Sequence, residues 1–172
     1  DRFLLGQSLE HYRHLVNQVE EITAVIKQYV LERFEREYSL LIELPGVSAI
    51  VACVILSEIG PNVEAFQSQG NLASWAGVCP GSYESAGIKK SSHTTQGNKY
   101  LKSSLFQAGG TAGRSKDEAF HNLYARISGR SSKMKAIIAC AHKLIRIIYK
   151  ILSTGEHYDA KKALGLRQQA RA

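Results

Sequence analysis

Cysteine is scarce in this chain, and long apolar runs are missing. Its 172 residues include 3 cysteines, Cys53, Cys79 and Cys140, far apart and odd in number. They form no CxxC pair, which argues against a disulfide framework and against a zinc site. A reducing, cytoplasmic setting is the expectation. No stretch of about 18 apolar residues occurs, so no membrane partner is expected, and no signal peptide is visible. The Gly-x-Ser-x-Gly elbow of esterase-type hydrolases is missing as well. Acidic residues are few in the second half. Residues 1–84 carry 5 Lys or Arg and 11 Asp or Glu, a balance of −6, whereas residues 85–172 carry 17 and 4, a balance of +13. Such asymmetry predicts that the second half faces a polyanion; a generic basic surface has the same composition. The chain begins at Asp1 without Met and reads as a piece of a longer protein.

What is present is globular: 44% hydrophobic and 22% charged residues, enough for one sizeable core. Residues 7–42 read as one long helix. Tyr12, Leu15, Val19, Ile22, Ile26 and Tyr29 repeat at intervals of 3 and 4, a heptad seam. The pattern predicts a coiled-coil arm over residues 1–42, pairing protomers into a homo-oligomer or docking on another helix. An ordinary amphipathic helix packed on its own domain has the same stripe. Pro45 and Gly46 end this helix, Ser48 can cap a second one, and Gly60 can close it. Two helices around a Pro-Gly turn suggest a helix-hairpin-helix. In that motif backbone N–H groups near Gly46 and Ser48 can face a phosphate, although the turn fits a purely structural role equally well.

Residues 66–75 read as a connecting loop and short helix capped by Asn71, with Leu72 and Trp75 as buried anchors. Further helices are predicted over 97–112, loosening at Gly109-Gly110, over 116–127, and over 133–152. The last has a buried face of Met134, Ile137, Ile138, Ala141, Leu144, Ile145, Ile148 and Leu152. Lys135, His142, Lys143, Arg146 and Lys150 lie largely on its other side, where they can track a phosphate backbone or simply be solvated. Residues 159–172 read as a flexible basic tail. The expected class is all-α, with a coiled-coil arm (1–42) joined to a helix-hairpin-helix-containing domain (43–158).

The most informative stretch is residues 78–102, VCPGSYESAGIKKSSHTTQGNKYLK. Ser85 sits among small, turn-forming residues, Glu84-Ser85-Ala86-Gly87, and Lys89 and Lys90 follow at once. Gly97-Asn98 then opens a helix carrying Lys99 and Lys102. A serine hydroxyl needs activation to attack, and attack on a phosphodiester needs positive charge around the non-bridging oxygens. Lys89, Lys90, Lys99 and Lys102 can supply that charge, which makes Ser85 a candidate nucleophile. Ser85 can equally line a turn, and Ser82, Ser91 and Ser92 compete for the role. His93 reads as a proton carrier or a solvated loop residue.

These residues carry a family resemblance. Residues 44–60, LPGVSAIVACVILSEIG, resemble the opening of the C-terminal domain of bacterial insertion-sequence transposases of the IS one-ten group, which includes the Piv-type DNA invertases. Residues 72–108 resemble the rest, with Trp75-Ala76-Gly77, Cys79-Pro80, Glu84-Ser85-Ala86-Gly87 and Gly97-Asn98-Lys99-Tyr100-Leu101 in order and at the expected spacing. Residues 136–158 look like the closing helix. The resemblance implies that Ser85 is the nucleophile, forming a transient phosphoserine link to a DNA strand during transposition or site-specific recombination. It implies two partners, DNA and a guide RNA encoded by the element. It also implies a RuvC-like domain outside this chain whose acidic residues bind a divalent metal, magnesium; no cofactor or metal ligand is expected within the chain itself, which would then be inactive alone. The family's Leu-Arg after Gly-Asn is Leu101-Lys102 here, which keeps the charge but loses bidentate phosphate contact. A reading of another class is a non-catalytic helix-hairpin-helix module that only binds nucleic acid and dimerises.

Overall fold

The computed structural model describes residues 1–79, 83–85, 88–91 and 94–165, the two short strands by their backbone alone. The fold is all-α in class. Seven helices are present among the described residues: α1 (Arg2–Ile42), α2 (Ala49–Ile59), α3 (Gln69–Trp75), α4 (Lys99–Arg114), α5 (Glu118–Arg130), α6 (Lys133–Thr154) and α7 (Ala160–Gly165). Between α3 and α4 lies one antiparallel hairpin, β1 (Tyr83–Ser85) and β2 (Ile88–Ser91).

Helix α6 is the centre, packing against α3, α4 and α5. Its Cys140, Ala141, Leu144, Ile145 and Ile148 are fully buried, together with Leu101 and Leu105 of α4 and Phe120 of α5. Contrary to the expectation from its spacing, Met134 is 57% exposed, because α6 enters the core only from Ala136 onward. Gly109-Gly110 does not loosen α4, which runs unbroken to Arg114. A Cβ on Gly109 would stand 2.7 Å from the Ala141 nitrogen, so this glycine is what lets α4 and α6 approach backbone to backbone.

Helix α1 is continuous except for a kink at Phe34, where φ is −137° and ψ is 35°. Val30, Tyr38, Leu40 and Leu41 of α1 are buried. The arm therefore leaves the domain near Val30, well before the helix ends. From there outward the heptad seam faces solvent: Tyr12 is 65% exposed and Val19 is 63% exposed. At the other end, α1 turns through residues 43–48 and packs against α2. Ser48 caps α2 by accepting from the Val51 N–H at 3.3 Å. Helix α3 is capped by Ser68, which accepts from Asn71 N, and not by Asn71 itself. Leu72 is buried as expected, whereas Trp75 is 39% exposed and tilts against Phe66 with ring centroids 5.3 Å apart. Residues 160–165, expected in the tail, form α7, with Ala163 buried and the helix packed on α5.

No helix among the described residues is long and apolar enough to cross a membrane.

Candidate nucleic-acid interface

The stretch whose small residues read from sequence as turn-forming contains a paired hairpin. Ser85 is the last residue of β1 and pairs with Ile88, the first of β2; Glu84 pairs with Lys89, and Tyr83 with Ser91 across a bulge. Lys90 lies in β2 as well. The side chains of Ser85, Lys89 and Lys90 lie outside the described residues, as do Ser82, Ala86, Gly87, Ser92 and His93.

The two feet of this excursion are fastened together. Gly77 ends the α3 turn with φ of 72°, and Gly97 precedes α4 with φ of 56°. A Cβ on Gly97 would collide with Gly77 N, and a Cβ on Gly77 would stand 2.6 Å from Gln96 O. Only glycine meets both the positive φ and this closeness. Trp75 O accepts from Asn98 N at 2.9 Å, and Ser74 O accepts from the Thr95 hydroxyl at 3.5 Å. The Asn98 Oδ1 caps α4 by accepting from Tyr100 N and Leu101 N, both at 3.0 Å. The Asn98 Nδ2 donates to Glu58 Oε2 of α2 at 2.6 Å.

The two described lysines beside the hairpin differ. Lys99 is exposed and its ammonium lies 4.8 Å from the centre of the Tyr100 ring. Lys102 is half-buried; its Nζ donates to Thr95 O at 2.6 Å and lies 5.8 Å from the Phe106 ring centre. Gly46 is half-buried against α4, where a Cβ would collide with Ala108 O, and Ser48 is exposed.

Lys143 and Arg146 of α6 are half-buried and engaged within the protein, not displayed on an open basic face. Lys143 Nζ donates to Ala119 O at 2.8 Å and sits 5.4 Å from the Phe120 ring centre. Arg146 Nε donates to Gln69 Oε1 at 3.1 Å, tying α6 to α3. Burial, reinforced by Arg146, pushes the His142 imidazole down and keeps it neutral at pH 7. Burial likewise pushes the Cys140 thiol up to about 11, against a smaller opposing pull from Lys143. Among the described residues no three His, Cys, Asp or Glu side chains converge to hold a metal ion.

Sequence reasoning missed the hairpin and the Glu58–Asn98 bond. The hairpin signal is present as a turn-forming Ala86-Gly87 between Tyr83-Glu84-Ser85 and Ile88-Lys89-Lys90-Ser91. The Glu58–Asn98 bond spans 40 positions and leaves no local signal.

The sequence profile described as the transposase IS116/IS110/IS902 family matches residues 38–125, just over half of the chain. The chain belongs to that family. It is 30% identical over 158 residues to the pilin gene-inverting protein of Moraxella lacunata, covering 88% of this chain and 48% of that protein. It is 28% identical over 158 residues to the pilin gene-inverting protein of Moraxella bovis, with the same coverage. The transposase for insertion sequence element IS1328 of Yersinia enterocolitica is 25% identical over 156 residues, covering 88% of this chain and 46% of its own length. The chain thus spans less than half the length of these relatives.

Proposed function

We propose that this chain is the serine-nucleophile half of an RNA-guided DNA transposase. Ser85 attacks a phosphodiester; the bond from phosphorus to the serine oxygen forms as the bond from phosphorus to one sugar oxygen breaks, and the serine proton ends on that departing oxygen, leaving a transient phosphoserine link to the strand. Lys89, Lys90, Lys99 and Lys102 neutralise the scissile and neighbouring phosphates. Gly46, Ser48, Lys143 and Arg146 contribute weaker contacts, the last two only where their donors remain after their internal bonds. A RuvC-like domain with a divalent metal completes the site, and a guide RNA encoded by the element selects the DNA. The exposed seam of α1 pairs as a coiled coil between protomers.

The observation that carries this reading is the family match across residues 38–125, which contains Ser85 and all four lysines. The basic second half and the exposure of Lys99 support it independently. The test uses the protein as its gene encodes it, with magnesium and guide RNA, on a labelled nicked target. A covalent protein–DNA adduct is expected on a denaturing gel and is expected to vanish in Ser85→Ala. An adduct that survives the substitution moves the nucleophile elsewhere, with Ser82 and Ser91 next. Strand cleavage with no adduct from the native protein would leave this domain a binding role.

A further inference from the structure

Asn98 does more than a helix cap needs. Its carbonyl oxygen already satisfies two N–H groups at the start of α4, and Asp or Ser would do that as well. Its amide nitrogen is spent on Glu58, at 2.6 Å in a half-buried setting. An ionised carboxylate only accepts, so it fixes which way round the Asn98 amide lies. Hydrogen bonds to a charged acceptor are also the stronger kind. Through its main-chain N–H, Asn98 holds the end of α3 too, at Trp75 O. One residue thus ties three helices together at the point where the chain leaves for the hairpin and returns from it. The Gly77–Gly97 contact and the Lys102 bond to Thr95 O close the same ring.

We propose that Glu58 is a positioning residue for the serine hairpin. Acting through Asn98, its carboxylate sets the base from which β1 and β2 project, and hence the place of Ser85. The inference rests on the reading of Ser85 as nucleophile and adds to it a residue from the end of α2, 27 positions earlier in the chain.

A polarity swap tests it. Asn98→Asp keeps a capping oxygen but sets two carboxylates against each other. Adding Glu58→Gln restores one donor and one acceptor in reversed order, with the net charge of the native protein. The expectation for Asn98→Asp is faster amide exchange in residues 83–85, 88–91 and 94–98. At saturating DNA, its rate of adduct formation falls roughly a hundredfold, the scale of loss for misplacement by about 1 Å. The double variant recovers both. Unchanged exchange in Asn98→Asp, or a double variant that recovers neither property, overturns the proposal. If Asn98→Asp does not fold, Glu58→Ala, which leaves the cap intact, carries the same expectations. The two readings separate cleanly. An adduct that depends on Ser85 but forms at native rate in Asn98→Asp sinks the positioning role and leaves the nucleophile standing. An adduct indifferent to Ser85→Ala sinks the nucleophile, while exchange still decides whether Glu58 holds the hairpin.

Discussion

Lys99 and Lys102 stand one helical turn apart and are expected to behave differently when removed. Lys99 is exposed, and its ammonium rests against the Tyr100 ring. Lys99→Ala should leave the fold alone and lower the salt dependence of DNA binding by about one unit of slope, a loss shared by all sequences. Lys102 also holds Thr95 O, so Lys102→Ala should weaken binding and loosen residues 94–98 together. Binding isotherms across a salt series, paired with thermal unfolding, check both. The sequence marks these lysines and Ser85 by type and spacing alone. It does not mark Glu58, because a hydrogen bond between residues 58 and 98 exists only once α2, α3 and α4 have packed. Nor does it show that Lys143 and Arg146 are engaged at Ala119 and Gln69: the side of α6 they share receives α5 and α3, and helical periodicity says nothing of which neighbours arrive there.

Helix α1 is the element whose surface is least satisfied. Its heptad positions from Tyr12 to Tyr29 are exposed, and a fully buried side chain of this size contributes about 1.5–3 kcal/mol. Replacing Val19 and Ile22 by Asp should therefore dissociate an oligomer held by the seam while leaving the domain folded, since neither residue touches the core. Sedimentation velocity with circular dichroism would show it, and an unchanged mass would remove the coiled coil from the account. The long helices were readable because apolar residues recur at 3 and 4 over many turns. Their ends were less so: Met134 has the right spacing yet lies in the first turn of α6, outside the packed zone. The hairpin was harder still. Its strands are 3 and 4 residues long, too short for alternation to stand out from a polar loop.

The molecule closes on itself where its first helix meets the segment after α6. Glu43 accepts from Tyr158 N at 3.3 Å and contacts His157 Nδ1 at 2.7 Å. The hydrogen bond with His157 holds the Glu43 carboxyl below the usual carboxylate range, against a smaller opposing effect of burial. A carboxyl with a lowered folded-state value stabilises the fold above its unfolded value and loses that contribution as pH falls through the folded one. Glu43→Gln should thus lower the melting temperature slightly at neutral pH and flatten its decline in acid, with an effect below about 1 kcal/mol because the pair is largely exposed. Melting curves from neutral to acidic pH decide it. Charge is divided on the same scale. The acidic half includes the arm, and the basic half includes β2 and the four helices that follow, so a polyanion is drawn to the second half and repelled from the first.

The kink at Phe34 makes the arm a lever with its fulcrum just inside the wall of the domain. From Phe34 to Arg2 the lever is roughly 48 Å long at the rise of an α-helix. A bend of about 10° at that one residue would carry the tip through about 8 Å. Two such levers joined along their seams would bring two domains to a common target while letting each find its own footing.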